Sequence, residues 1–431
     1  MRVSKLALAA MSMVCGATLF ASPSAAQQAA PAHSVSLTRP ERQALQALEA
    51  AARGTDRAAQ DAALSAARAA AQSNEARHAL AHYQLEIGRA RQDPQMIGQA
   101  VDALVSSGLS TREEMPSLLA NQAARAFYAG QHNQAERLLA RAVELQPENA
   151  AVTAEYAQMK SQIGSALVRG GRTAEAQAQF AESVALLQRA IALQRASGQA
   201  VPESWYKRAV ALAFDHNLAP QGVALAREMV SAYPSPTNWR DALMVYQRAV
   251  QADPALDLDV RRLLRASGAL AGERDYLDFA EALGRAMPRP ADTLYAGEVK
   301  GLLDEGVERG MLSASEPRVR QLNTANNRKA TTARTGLARL RTQALAAATG
   351  TPAREAGDAH FGFGQYAEAV ELYRAALQKG GEDPNLVNTR LGAALALAGQ
   401  RAEAEAALRA VTGPRAALAG YWLAWLARRP A

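Results

Sequence analysis

An all-α fold, a solenoid of antiparallel helix pairs with a degenerate middle section, follows from three observations. The chain has 431 residues, 49% of them hydrophobic but only 5% aromatic. Alanine, the strongest helix former, supplies about a quarter of it, while the β-branched and aromatic residues that fill sheets are scarce. Apolar residues also recur at helical spacing. Ala135, Leu138, Leu139, Ala142 and Val143 fall on one helix face, as do Ala369, Leu372, Tyr373, Ala376 and Leu377. Ala404, Ala407, Leu408 and Val411 repeat the pattern, and Ala176, Phe180 and Val184 repeat part of it. This much apolar content excludes intrinsic disorder.

The first 26 residues have the build of a secretory signal peptide. Arg2 and Lys5 precede an uncharged apolar run, Leu6 to Ala21, and Ser24-Ala25-Ala26 offers small residues before a cut at Gln27. The run is shorter than the roughly 20 residues that span a bilayer. Its export predicts a periplasmic protein. Cys15, the single cysteine, lies in the run, so the mature chain has no disulfide, thiol nucleophile or thiolate metal site. Removal of Arg2 and Lys5 takes the formal charge from +7 to +5, too mild a surplus for a dedicated nucleic-acid surface.

Residues 27–37 read as a flexible lead-in of Ala, Gln, Ser and Pro. Helical signals begin at Thr38, which can cap a helix with Glu41 three residues on. Arg57 to Ala71 and Asn74 to Ile87 read as one helix pair broken at Gln72-Ser73, within an N-terminal block of hairpins over 38–115. A glycine stands five residues before each leading alanine of the four periodic segments: Gly130, Gly171, Gly364 and Gly399. There it ends one helix in the left-handed conformation and lets the next turn back.

These helix–turn–helix units resemble the tetratricopeptide repeat family, whose unit is about 34 residues. The resemblance runs through Leu119, Ala123, Gly130, Ala135, Leu139 and Pro147 in 116–149, and Ile163-Gly164, Gly171 and Phe180 in 157–190. It continues through Gly357, Gly364, Tyr373 and Pro384 in 350–384, and Leu391-Gly392, Gly399 and Leu408 in 385–418. Trp205 and Trp239 suggest a looser unit and a half, completing repeats over 116–252. Residues 253–349 read as degenerate hairpins, with 310–329 a Ser-, Asn- and Thr-rich loop or lid. The pair at 350–431 ends in a capping helix carrying Tyr421, Trp422 and Trp425.

The resemblance implies a concave groove lined by the first helix of each pair. By the family's pattern it includes Phe127, Tyr128, Arg169, Tyr206, Phe214, Arg354, Asp358 and Phe361. It implies a protein or peptide partner for that groove, and a place in envelope assembly or polysaccharide secretion. The family's carboxylate clamp of Lys and Asn is missing.

A second surface is basic. Arg318, Arg320, Arg328, Lys329, Arg334, Arg339 and Arg341 occur with no acid among them, and suit an anionic polysaccharide or membrane surface. No aromatic residue interleaves them, which argues against nucleic acid. A third candidate is metal: His78 and His82 are one turn apart, with Glu75 and Glu86 at compatible offsets. That half-site has no second half in the chain. Gly362-Phe363-Gly364-Gln365-Tyr366-Ala367 mimics a dinucleotide fingerprint, but a helix pattern rather than a strand precedes it. No G-x-S-x-G elbow, Walker A lysine motif or HExxH is present. The sequence therefore reads as a non-enzymatic binding scaffold with no cofactor and no metal.

Overall fold

The computed structural model describes residues 37–250, 253–286 and 293–428. The signal segment, and all of the lead-in except Leu37, lie outside the described residues. All regular structure among these residues is helical, and consecutive helices pack in pairs. The chain divides into two compact units, one ending at Leu109 and the other beginning at Ser110.

The first unit holds α1 (Arg39–Ala52), α2 (Arg57–Ala70), α3 (Asn74–Arg91) and α4 (Pro94–Ser107). Its pairs are α1 with α2 and α3 with α4; α2 and α3 touch far less, so the expected 57–87 hairpin joins two pairs instead. Gly88 explains the preference, because a Cβ there would lie 3.2 Å from both Met96 and Ile97 of α4. Thr38 and Glu41 form the anticipated capping box on α1. Glu41 does more than cap. Its Oε1 also accepts from the backbone N–H groups of Gln72 (3.0 Å) and Ser73 (2.7 Å), fixing the turn between α2 and α3.

These backbone bonds, Ser73 first and Thr38 next, pull the Glu41 carboxyl from its usual value near 4.5 down to about 2. A group with a depressed folded-state pKa contributes stability above its unfolded pKa and loses it as pH falls through the folded one. The melting-temperature advantage of the parent chain over Glu41→Gln should therefore be full above pH about 4.5 and shrink steadily towards pH about 2. A pH-independent difference would contradict this.

The second unit begins with α5 (Met115–Tyr128), α6 (His132–Leu145), α7 (Ala150–Arg169) and α8 (Thr173–Ala196). It continues with α9 (Glu203–Asp215), α10 (Ala219–Ala232), α11 (Pro236–Val250), α12 (Pro254–Ala266), α13 (Glu273–Ala286) and α14 (Ala296–Glu308). Then follow α15 (Pro317–Ala346), α16 (Thr351–Gly362), α17 (Tyr366–Lys379), α18 (Pro384–Leu397), α19 (Arg401–Arg409), a 3-10 turn (Gly413–Arg415) and α20 (Ala416–Leu426).

Two local devices build the repeats. Gly130, Gly171, Gly364 and Gly399 all sit in the left-handed region, with φ of 76°, 76°, 73° and 79°. A β-carbon is disfavoured there, so these positions need glycine. Within the pairs, Gly164, Gly357 and Gly392 each face a large side chain 16 positions later. A Cβ would lie 2.8 Å from Phe180, 2.7 Å from Tyr373 and 2.5 Å from Leu408 respectively. The glycine admits the large residue, and that contact sets how closely the two helices approach.

Two expectations are corrected. The supposed loop at 310–329 is largely the first part of α15, a continuous helix of 30 residues. Glu316 caps it by accepting from the Val319 N–H, and Val319, Asn326, Ala330, Leu337 and Ala344 form its buried stripe. The stripe was obscured because a polar residue occupies one of its places: Asn326 donates to the Ala296 carbonyl at 2.8 Å. The C-terminal helix α20 is also more than a cap. It packs on α10 as well as on α18 and α19. The Tyr421 hydroxyl donates to the Val223 carbonyl (3.1 Å), and the Trp425 indole N–H donates to that of Ala266 (3.1 Å).

Candidate functional site

The largest concentration of buried charge lies where α12, α14, α16, α18 and the 3-10 turn meet. Asp259 of α12 accepts from Arg390 Nε (3.0 Å), Arg262 Nη1 (3.2 Å) and Arg415 Nη1 (2.6 Å). Glu298 of α14 takes both prongs of Arg262, at 2.9 and 2.7 Å. Asp358 of α16 accepts from Arg390 (2.6 Å), Arg354 (3.1 Å), Tyr295 (3.2 Å) and Tyr373 (2.8 Å). Three buried carboxylates thus face three buried guanidiniums, with Arg354 at the edge also paired to Glu355 and Glu382.

Burial alone would raise the Asp259 pKa, but Arg390, Arg415 and Arg262 outweigh it and hold the carboxyl below its usual value. Burial, reinforced by Asp358, pushes the Tyr373 and Tyr295 hydroxyls up. Each acid is occupied by guanidiniums, and the space among Asp259, Arg390 and Trp422 does not admit a water. The cluster is therefore a joint that holds helices together, with no group free for chemistry. Removing one acid strands buried cations. Asp259→Asn should destabilise the second unit by about 3–5 kcal/mol, read as a lower midpoint in chemical denaturation; a shift below about 1 kcal/mol would contradict a load shared by all three arginines.

This joint decides the fate of three of the eight anticipated groove residues. Asp358 (0% exposed) and Phe361 (7%) are buried, and the Arg262 guanidinium lies 4.6 Å from the centre of the Phe361 ring. Arg354 is largely buried and committed to three carboxylates. Tyr206 is 2% exposed, with its hydroxyl accepting from Arg195 at 3.1 Å. Phe214 is half-buried beneath Arg248, whose guanidinium stands 5.3 Å from the ring centre. An open-groove placement does not hold for Tyr206, Arg354, Asp358 and Phe361, the last three being taken up by the charge cluster, and Phe214 is partly covered by Arg248 of α11.

The remaining three do reach solvent, at the ends of α5 and α7. Tyr128 is 75% exposed and Arg169 is also exposed, next to Val168 at 47%. Phe127 is half-buried, stacked on His132 at 5.1 Å and edge-on to Tyr128 at 5.7 Å. The local cause is the glycine turn. The Gly130 N–H donates to the Phe127 carbonyl and the Gln131 N–H to that of Ala126, which stops α5 and leaves its last residues projecting. Gly171 and Arg172 repeat this geometry on Val168 and Leu167. Behind these helices, buried Lys160 of α7 pairs with Glu136 of α6 and Glu182 of α8, tying the two repeats together.

On α15 the basic residues fall into two groups. Arg318 pairs with Glu281, Arg341 pairs with Glu371 at 2.7 Å, and Arg334 lies over the Phe363 ring at 5.2 Å. Lys329 is half-buried. Arg320, Arg328 and Arg339 are exposed and have no carboxylate partner among the described residues. Thr331, Thr332 and Thr342 on the same helix donate to carbonyls one turn back.

His78 and His82 share a hydrogen bond, with their Nε2 atoms 3.0 Å apart, and His78 Nδ1 bonds Ser107 Oγ at 2.9 Å. No group of three or more potential metal ligands converges among the described residues, so Glu75 and Glu86 do not complete a site. The glycine pattern at 362–367 joins α16 to α17, as a repeat turn. Sequence reasoning passed over Asp259, Arg262, Glu298, Arg390 and Arg415. Their one signal was charge at positions the repeat pattern makes interior, as with Arg390 beside Leu391-Gly392.

No described family matches the sequence, and no curated protein matches it. Among solved structures it is similar to a chain of Naa15/Naa10 bound to HypK-THB, at 11% identity and a TM-score of 0.21, over 88% of this chain and 63% of that one. It is also similar to the human IFIT1 dimer with PPP-AAAA, at 15% identity and a TM-score of 0.17, over 72% of this chain and 74% of that one. Neither superposition is close. The repeat architecture rests on the chain's own helix pairs, glycine turns and glycine–large-residue contacts.

Proposed function

We propose that this chain is a non-enzymatic scaffold, exported to the periplasm by its N-terminal segment, that docks a protein or peptide partner on the exposed ends of α5 and α7. One observation carries the reading: two successive repeats each leave a large side chain, Tyr128 and Val168, in solvent beside the same kind of turn. A monomer's isolated exposed apolar residue needs no explanation. The same two positions before the turn recur in adjacent units, Phe127-Tyr128 in one and Val168-Arg169 in the other, and each pair reaches solvent, which supports an extended contact. Aromatic and arginine side chains supply much of the energy of such contacts.

A photo-crosslinker placed at position 128 or 168 should trap the same partner in cells, and one at Arg141, on the neighbouring helix of the pair, should not. Tyr128→Ala with Arg169→Ala should abolish the adduct from position 168 while leaving the helical circular dichroism unchanged. Equal trapping from position 141, or an unaffected adduct, would refute this docking face.

A second reading is favoured by α15. Three exposed, unpaired arginines on a helix with no acid provide an anionic polymer or membrane surface with donors and no repulsion. Retention on such a surface should weaken steeply between low and physiological salt, because exposed charges are screened within about 8 Å at 0.15 M. It should be lost in Arg328→Glu with Arg339→Glu. Salt-insensitive retention, or retention by the double variant, would remove this reading.

A further inference from the structure

A cleft of about 430 Å³ opens between α12, α14, α15 and the turn joining α16 to α17. It is a separate place from the α5–α7 face. Most of its charges are spent on one another. Arg262 holds Glu298, Arg265 holds Glu305 at 2.6 Å, and Lys300 holds Asp304. Two lining groups are unspent. Arg334 has no carboxylate partner and is steadied over the Phe363 ring. The Tyr366 hydroxyl has no hydrogen-bond partner among the described residues, although burial lifts its pKa.

The walls are aromatic and aliphatic. The Phe361 and Tyr366 rings meet edge to face at 5.3 Å, with Phe363 and Leu397 alongside. The space exists because a side chain is missing: a Cβ on Gly301 of α14 would meet only the Arg265 guanidinium, at 3.5 Å.

We infer that this cleft binds a small aromatic monocarboxylate, its ring against the apolar wall of Phe363 and Tyr366 and its carboxylate on Arg334. The charge balance selects the class. Three acids and three of the four cations cancel, leaving a surplus of one positive charge at Arg334. A monoanion neutralises that surplus. A dianion such as phosphate would meet Glu298, Asp304 and Glu305 with its second charge uncompensated, and a cation would meet Arg334. The volume lies in the range of small-molecule sites, about 300–1,000 Å³. A charged group set beside apolar walls is how such sites fix orientation. The same chemistry is available from a free acid or from the last residue of a peptide ending in Phe.

The test is calorimetric titration of the full chain with 3-phenylpropionate and with N-acetyl-Gly-Gly-Phe, using 3-phenylpropylamine and 3-phenylpropanol as charge controls. Saturable one-to-one binding of either carboxylate is expected, and the tighter of the two identifies the source. Arg334→Gln should weaken it roughly tenfold or more, since it removes a hydrogen bond to a charged group. Gly301→Leu fills the cleft from within a helix, where leucine is the better helix former, and should abolish binding at an unchanged melting temperature. Arg334 is an exposed surface residue, so its variant keeps the test valid even if the Gly301 variant does not fold. The inference is overturned if neither carboxylate binds, if the amine or alcohol binds as tightly, or if binding survives Arg334→Gln. Tyr128→Ala with Arg169→Ala should leave it intact, which separates this site from the docking face.

Discussion

Arg262, Arg390 and Arg415 cannot be buried unless Asp259, Glu298 and Asp358 are buried with them, and this mutual requirement organises the second unit. An isolated charge in a protein interior costs several kcal/mol in lost hydration, and only well-placed counter-charges and hydrogen bonds offset that. Guanidinium suits the task because its planar fork satisfies two carboxylates at once. Arg390 bridges Asp259 to Asp358, and Arg262 bridges Asp259 to Glu298. Apart from Arg262 and Asp259, which share α12, the partners come from stretches 32 to 156 residues apart in the chain. The cluster adds little net stability over an apolar core of the same size. What it adds is specificity: a slipped pairing of the C-terminal repeats on α12 and α14 leaves an unpaired buried ion.

That joint also sorts the surfaces by availability. Once α16 and α18 are fixed against α12, the inner side of these repeats is occupied, and α20 takes the space beside α10. The sequence of α20, AALAGYWLAWL, has no polar face. A helix apolar on every side has to be surrounded by protein. The ends of α5 and α7 remain open, while Lys160 with its two glutamates and an apolar cluster that includes Ala126, Leu139 and Ile163 tie the neighbouring pairs together. The proposed docking face thus lies on repeats that the charge cluster does not reach.

Local physics was legible in the sequence and long-range physics was not. The capping box at Thr38 and Glu41, the four left-handed glycine turns and the helix pairs they separate follow from rules that act within a few residues. The second duty of Glu41, on Gln72 and Ser73, depends on a contact across 32 positions that no local rule contains. The first half of α15 was missed because threonine and asparagine are weak helix formers, while tertiary packing of its stripe decides the outcome. The concave residues were misjudged for a related reason. A repeat pattern describes each unit as if its inner face were free, and it carries no information about a distant segment folding into that face. Arg354, Asp358 and Phe361 occupy the pattern's positions, yet Asp358 and Phe361 meet Arg262 of α12 and Arg354 is spent on Glu355, Asp358 and Glu382.

The cleft beside Phe363 follows from the same closure. Gly362 lets its turn approach Glu298, because a Cβ there would lie 2.9 Å from that side chain, and Gly297 does the same for Phe363. These two glycines press the α16–α17 turn onto α14 while Glu298 stays locked to Arg262. The neighbouring Gly301, one turn further along α14, has no such partner across the gap. Two glycines are filled by the opposing chain and the third is left vacant, so the void arises where the close approach ends. Arg334, steadied by Phe363 of the turn, stands at that boundary, and its charge is the one the joint does not consume.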